Sequence, residues 1–469
     1  MIKTKSWMVS RHAHGLRRVL VANRGEIALR AIRVCRRLGI ESVAVYSEAD
    51  AAAPHVWAAD DSVCIGPPAA AKSYLAAEAL VHVATATGCD AVYPGYGFLA
   101  ENFEFAALCG KSGLKFVGPS AETIRTMGDK SRARRVAERF GVPVVPGSET
   151  AFTGLKEAQT AVEELGYPLL LKAKSGGGGR GMRIVRESAE FPAAFLEATR
   201  EAEAAFGDGA VYIERFFEAV RHIEVQVMGD GEGGAIAFDE RDCSVQRRHQ
   251  KLIEESPSPV VDGELRTRMQ QAALSLARGI AYEGAGTVEF ILDVATREFF
   301  FIEMNTRIQV EHTVTEMRIG RDLIELQFAI AGGAQLDNSD DGIAARGHAI
   351  EYRINVEDWR LGFQPSPGRL KLWQPPQGTG IRLDSAAYEG QMITPHYDSM
   401  IAKLIVLGED RHDALKKSRA ALDDFKVGGV ATTIGFHRQV IDHDDFSSDR
   451  VHTRWIENEL MPNSVMVGG

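Results

Sequence analysis

The chain has 469 residues, 45% of them apolar, and its 54 basic and 64 acidic side chains leave a net charge of −10. That length predicts two to four domains at roughly 100–200 residues each, and the acidic balance argues against a general affinity for nucleic acid or anionic membrane. The five cysteines (Cys35, Cys64, Cys89, Cys109, Cys243) are scattered and never form a CxxC pair, which argues against a disulfide framework or zinc knuckle and for a reducing compartment.

Residues 1–16 read as a basic extension, with Lys3, Lys5 and Arg11 and no acid before Glu26; Met8 is an alternative start. Val19–Ala22 then reads as a strand. Ile27, Ala31, Val34 and Leu38 recur at helical spacing as one buried face, Gly39 stops the helix, and Ser42–Tyr46 is the next strand. Such units predict a parallel sheet covered by helices over residues 17–126, in which Asp90–Phe98 is a strand running into a turn rich in glycine and aromatic residues. A second unit, 127–335, begins at Met127-Gly128-Asp129-Lys130 and an arginine-rich helix, and alternates strands with helices to about Gly332-Gly333; residues 145–217 form a subdomain within it. Leu336–Gly347 is polar, acidic and aperiodic, a linker. Short strands split by Pro and Gly follow from His348 to Leu407, then a helix and a mixed tail to residue 460.

Three segments carry chemistry. In Lys172–Met182, the run Gly176–Gly179 lets a backbone approach a phosphate chain closely. Flanking strand-like segments, Leu169–Ala173 and Met182–Val185, favour a hairpin flap over a plain linker. Neither a Walker A loop nor a GxGxxG turn after the first strand is present. Thr287–Leu292 and Phe299–Asn305 read as a hairpin centred on Thr296, which sets Glu289 opposite Glu303 with Asn305 on the same face. Two carboxylates and an amide oxygen suit hard Mg2+. If the chain stays extended beyond Asn305, Glu303, Asn305, Arg307, Gln309 and Glu311 line one side above Ile302, Met304, Ile308 and Val310. The alternation recurs at Glu351, Arg353 and Asn355. The third segment, Glu240–Lys251, is dense in hydrogen-bonding side chains and reads equally as a solvated surface.

In this order, the segments resemble the biotin carboxylases of the ATP-grasp superfamily. The resemblance rests on Val21–Ala28, Pro94–Leu99, Met127–Lys130, the glycine run, Glu240–Lys251, Phe301–His312, Arg353-Ile354-Asn355, Pro365–Gly368 and Tyr397–Met400. It implies an α/β and α+β fold in three parts: a Rossmann-like N-terminal domain, an ATP-grasp domain with its glycine-rich flap, and a C-terminal domain (348–460) with barrel-like strands. The implied reaction is that of a carbon–nitrogen ligase: MgATP, bicarbonate and biotin give carboxybiotin, ADP and phosphate by way of carboxyphosphate. It further implies two Mg2+ or Mn2+ ions, a homodimer, a cytoplasmic location, and an acetyl-CoA-type carboxylase of fatty acid biosynthesis. The chain has no Met-Lys-Met biotinylation signature, so the resemblance implies that the biotin carrier and the carboxyltransferase are separate chains.

Residue roles follow from the same resemblance. Lys130 and Lys172 resemble the cations on the nucleotide phosphates, beneath Gly176, Gly177, Gly178, Gly179 and Met182. Glu214, Arg215 and Phe217 resemble the adenine hinge; His222, Gln246 and His249 match the nucleotide pocket. Glu289, Glu303 and Asn305 match metal ligands, and Lys251, Arg307, Gln309 and Val310 the bicarbonate pocket. Glu311 resembles the general base and Arg353 the residue that stabilises the biotin oxyanion. The chain departs from the family pattern at Arg215 (usually lysine), Phe217 (commonly aliphatic), Thr313 (usually proline), Asp239 and His396-Tyr397. A related ATP-grasp ligase with an amine acceptor and a silent nucleotide-binding scaffold are the rival readings. The run Arg307–Glu311 with Arg353 weighs against the first, and the intact acid, base and metal positions against the second.

Overall fold

Val19, Leu20 and Val21 are fully buried, as a strand covered on both faces must be, and they form the centre of a five-stranded parallel sheet. Its strands are β1 (Arg18–Val21), β2 (Glu41–Tyr46), β3 (Asp61–Cys64), β4 (Ala91–Tyr93) and β5 (Lys115–Phe116), in the order β3-β2-β1-β4-β5. The structure, a computed structural model, describes residues 15–148, 150–174, 182–336 and 344–461. The expected helix spans Gly25–Leu38 and buries Ile27, Ala31 and Val34. Gly39, at φ 71°, closes it in the left-handed conformation that an L side chain rarely adopts. Among the described residues no helix is long and apolar enough to cross a membrane.

A small antiparallel sheet follows, β6 (Leu169–Ala173) between β7 (Met182–Val185) and β8 (Val211–Arg215). Lys172 pairs with Met182, so the two segments flanking the glycine run form a hairpin ladder as expected. Gly176–Gly179 themselves lie outside the described residues, as do 337–343 of the expected linker.

Beyond Arg221 the expected alternation of strand and helix gives way to consecutive antiparallel strands. These are β9 (Arg221–Asp230), β10 (Ala235–Arg247) and β11 (Gln250–Ser256), followed after one helix, Gly263–Gly279, by β12 (Glu283–Asp293) and β13 (Glu298–Asn305). Two tight turns, rather than crossover helices, join β9 to β10 and β10 to β11, and Arg248 and His249 both take positive φ in the second. The last segment extends the same sheet through β14 (His348–Asn355) and the strands Met400–Gly408 and Ile381–Ser385. One eight-stranded antiparallel sheet results, in the order β13-β12-β9-β10-β11-β14, then Met400–Gly408, then Ile381–Ser385. Period two divides its faces: Ile223, Val225 and Val227 of β9 join the core under the helix Gly263–Gly279, while His222, Glu224 and Gln226 point to the opposite side.

Candidate active site

The polar face of this sheet converges on Lys251. Its ammonium donates to Glu224 Oε2 at 2.6 Å, Glu289 Oε1 at 2.9 Å and Glu311 Oε1 at 2.7 Å. The three carboxylates come from β9, β12 and the loop after β13. Burial opposes the charge on Lys251, but these neighbours outweigh it and raise its pKa well above the ordinary lysine value.

Glu311 is held from both sides. Its second oxygen accepts from Arg353 Nη2 at 2.9 Å, and Arg353 Nε donates to Glu254 Oε1 at 2.6 Å. Burial would push Glu311 up, yet Lys251, Arg353 and Arg241 hold it far below the usual carboxylate range. The polar alternation in β14 persists: Arg353 projects into the site while Ile350, Tyr352 and Ile354 pack in the C-terminal core.

Glu289 and Glu303 are direct partners across β12–β13, as expected, with Asn305 opposite Thr287, but a bulge makes this so: nearer the turn Phe290 pairs with Phe301 and Asp293 with Glu298, one residue off a hairpin centred on Thr296. Their environments differ. Glu289 Oε1 accepts from Lys251, Asn305 Nδ2 at 2.9 Å and Gln309 Nε2 at 2.8 Å, and its Oε2 lies 3.1 Å from His222 Nε2. Against its burial, Lys251 and His222 keep it well below the ordinary value. Glu303 is half-buried and receives no hydrogen bond from any described side chain; burial and the charge of Glu289 raise its pKa, against the pull of Lys130. Two opposed carboxylates, one of them uncompensated, fit a divalent cation with oxygen ligands. His222, Glu224 and Glu289 also bring ligand atoms within 4.8 Å of one another, but Lys251 and Arg241 already neutralise that cluster.

The row expected from continued extension does not persist. β13 ends at Asn305 because the following backbone finds other partners: the Thr306 amide donates to Glu101 Oε1 at 3.1 Å, and the chain turns into the helix His312–Ile319, with Glu311 at its N-cap position but making no capping bond. Gln309 and Glu311 still reach the site from this loop. Arg307 turns aside, donating from Nε to Glu101 at 2.7 Å and from Nη2 to Asn305 Oδ1 at 2.8 Å. The Val310 carbonyl accepts from the buried Lys403 at 2.9 Å.

The expected nucleotide residues are spread over several elements. Lys172 is ion-paired with Glu214 across β6 and β8. Phe217 packs on Phe300 at 5.2 Å between ring centroids, with the Arg215 guanidinium 5.1 Å above its ring. Gln246 is buried opposite Lys251 in the β10–β11 pair. Lys130 is exposed at the start of the helix Lys130–Arg139, Met182 is exposed on β7, and His249 is exposed at the β10–β11 turn.

Four functional-looking residues escaped the sequence reading. Glu224 and Arg241 are fully buried; Arg241 binds Glu224, Gln226, Thr287, Gln309 and Thr315 and so ties four elements together. Glu254 and Glu101 hold Arg353 and Arg307. The signal for Glu224 was the alternation His222, Glu224, Gln226 against Ile223, Val225 and Val227, the same one used for β13.

Residues 15–124 match the family described as biotin carboxylase, N-terminal domain; 129–339 match the ATP-binding domain of the carbamoyl-phosphate synthase L chain; 351–458 match the biotin carboxylase C-terminal domain. The chain is 50% identical over 442 residues to biotin carboxylase 1 of Bacillus subtilis, covering 94% of this chain and 98% of that one. The crystal structure of the biotin carboxylase–beta-gamma-ATP complex of Campylobacter jejuni superposes with a TM-score of 0.86 at 46% identity, over 95% of this chain and 99% of its own. The biotin carboxylase domain of a thermophilic 2-oxoglutarate carboxylase, bound to bicarbonate, gives 0.90 at 44% identity, over 97% and 100%.

Proposed function

The chain belongs to the biotin carboxylase family and catalyses the ATP- and Mg2+-dependent carboxylation of biotin, and we propose that the cluster around Lys251 is where bicarbonate is activated. The observation that carries this reading is that one ammonium joins the base Glu311 to the metal-side carboxylate Glu289.

In this proposal Lys130 and Lys172 hold the nucleotide phosphates, and the segment Glu214–Phe217 receives the adenine. Glu289, Glu303 and Asn305 would hold Mg2+ or Mn2+, as two ions, which when bound neutralise phosphate charge. Bicarbonate sits against Lys251, Arg307, Gln309 and the Val310 backbone. Glu311 takes its proton, and the freed oxygen attacks the γ-phosphate, breaking its bond to the β-phosphate oxygen, to give carboxyphosphate and ADP. An incoming anion shares Lys251 and Arg353 with Glu311, and a carboxylate that loses part of its cationic company gains proton affinity. Carboxyphosphate then parts into CO2 and phosphate; the phosphate takes the proton of the biotin ureido nitrogen while Arg353 stabilises the ureido oxygen, and that nitrogen attacks the CO2 to give carboxybiotin. Fixed cations in a water-poor site supply most of the acceleration, since in-line phosphoryl transfer needs chiefly position and neutralised charge.

The partners belong to the proposal too: biotin arrives on a separate carrier chain, a separate carboxyltransferase takes the carboxyl group to an acyl-CoA, and the chain acts as a homodimer. So do the domain borders at 17–126, 127–335 and 348–460. The test is ATP hydrolysis by the Mg2+-loaded protein. Hydrolysis that requires bicarbonate and rises with free biotin supports the assignment; hydrolysis indifferent to both removes it.

A further inference from the structure

Behind Arg353 two more glutamates meet. β11 and β14 run antiparallel in a register that sets Glu254 directly opposite Glu351, and directly opposed side chains rise from the same face of a sheet. Both residues are fully buried. Glu254 Oε1 holds Arg353, and Glu351 Oε2 accepts the hydroxyl of Thr313. The remaining oxygen of each, Glu254 Oε2 and Glu351 Oε1, has no hydrogen-bond partner. Two ionised carboxylates so placed repel each other and leave two buried acceptors unmet, and both effects are unfavourable. One proton on Glu351 Oε1, donated to Glu254 Oε2, satisfies both atoms and leaves a single negative charge against Arg353.

We infer that Glu254 and Glu351 share one proton, with Thr313 orienting the Glu351 carboxyl, and that the pair positions Arg353 against Glu311. The positioning part rests on the proposed role of Arg353 and Glu311; the proton itself does not. The charged and titratable groups facing the pair are Arg353 on β14, Lys251 on β11, Glu311 in the loop before the helix His312–Ile319, Lys403 on Met400–Gly408, and Tyr96 beside Glu26. Lys403 is itself engaged, by Glu26 at 3.0 Å and by the Val310 carbonyl, which limits its neutralisation of Glu351. In keeping with the geometry, burial lifts Glu254 to about 7 against the pull of Arg353, and lifts Glu351 well above the ordinary range against that of Lys403.

The experiment is an infrared difference spectrum of the full chain, wild type minus Glu351→Gln, at pH 7 in H2O and D2O. A carbonyl band of a protonated carboxylic acid, shifted by deuterium and missing from the variant, is expected; a difference confined to ionised-carboxylate bands overturns the shared proton. Thr313→Val, which leaves both carboxyls in place, should move that band, and an unmoved band removes Thr313 from the device. For positioning, Glu351→Gln retains a donor to Glu254 and Glu351→Leu does not. The Leu variant should turn over about tenfold more slowly than the Gln variant at an equal KM for ATP, and equal kcat values overturn the positioning role. The infrared result is independent of whether the protein carboxylates biotin, so a failed reaction and a failed proton assignment are separate outcomes.

Discussion

Glu289 and Glu303 face each other across one hairpin, yet the protein drives them in opposite senses: Lys251 and His222 hold Glu289 ionised, while burial and Glu289 itself raise Glu303. An uncompensated carboxylate beside a compensated one is a place for a cation to bind. Glu303→Gln should therefore raise the Mg2+ concentration needed for half-maximal ATP hydrolysis by at least about tenfold, since loss of a mere supporting partner already costs about 10–100-fold. A magnesium titration that superimposes on wild type would remove Glu303 from the metal site.

Glu311 accepts from both Lys251 and Arg353, which aims the carboxylate before any substrate arrives. Glu311→Gln keeps the shape and removes the base. Biotin-dependent turnover should drop by about 10²–10⁴-fold, with nucleotide affinity by calorimetry left within about twofold of wild type. Equal losses in both would make Glu311 a binding residue.

Lys251 is the only described cation donating to Glu224, Glu289 and Glu311 together. Lys251→Met strands buried negative charge and should destabilise the fold by about 3–5 kcal/mol in urea unfolding. Adding Glu224→Gln removes one of those charges, so the double variant should be more stable than the sum of the singles predicts. Strict additivity would mean that the contacts do not interact.

Glu255, buried between His348 and Arg411 on the face of β11 opposite Glu254, provides a second probe. Burial opposes its charge, but Arg411 and His348 lower its pKa from 4.5 to about 2. A carboxylate depressed in the folded state stabilises the protein above its unfolded pKa and loses that contribution as pH falls toward the folded value. The pair should thus contribute about 3 kcal/mol near neutrality that disappears between about pH 4.5 and 2. Glu255→Gln should be less stable at pH 7 and show a flatter acid limb; an unchanged limb would refute the linkage.

The sequence was most legible where a single local rule governs. The helix Gly25–Leu38 follows from one apolar stripe and a glycine stop; the Glu289–Glu303 pairing is expected, but the turn alone does not give it, because a bulge at Ile302 shifts the register between Phe290 and Glu289. It was least legible where distant segments compete for the same backbone or side chain. Nothing local reveals that Glu101 takes the Thr306 amide and ends β13, or that Arg307 turns to the same carboxylate. Arg241 looked like one charge among many in Glu240–Lys251 because its five partners come from β9, β12 and the 306–315 region. The antiparallel course of β10 to β11 was hidden because its tight turn uses Arg248 and His249 at positive φ rather than glycine, whereas the β9–β10 turn did carry a glycine signal in Gly231 and Gly233, both at positive φ.

The eight-stranded sheet sets what is able to move. Every group assigned to proton removal, cation binding and oxyanion stabilisation hangs from its ladder or from the loop directly after β13, so separating them means tearing inter-strand bonds. The three-stranded unit β6–β8 stands outside that ladder, and the segment before it bridges both: Val144 pairs with Phe301 of β13, while Gly147 and Phe152 pair with Glu214 and Val211 of β8. Any flexing between the two sheets therefore falls at that seam, where no continuous ladder would have to break.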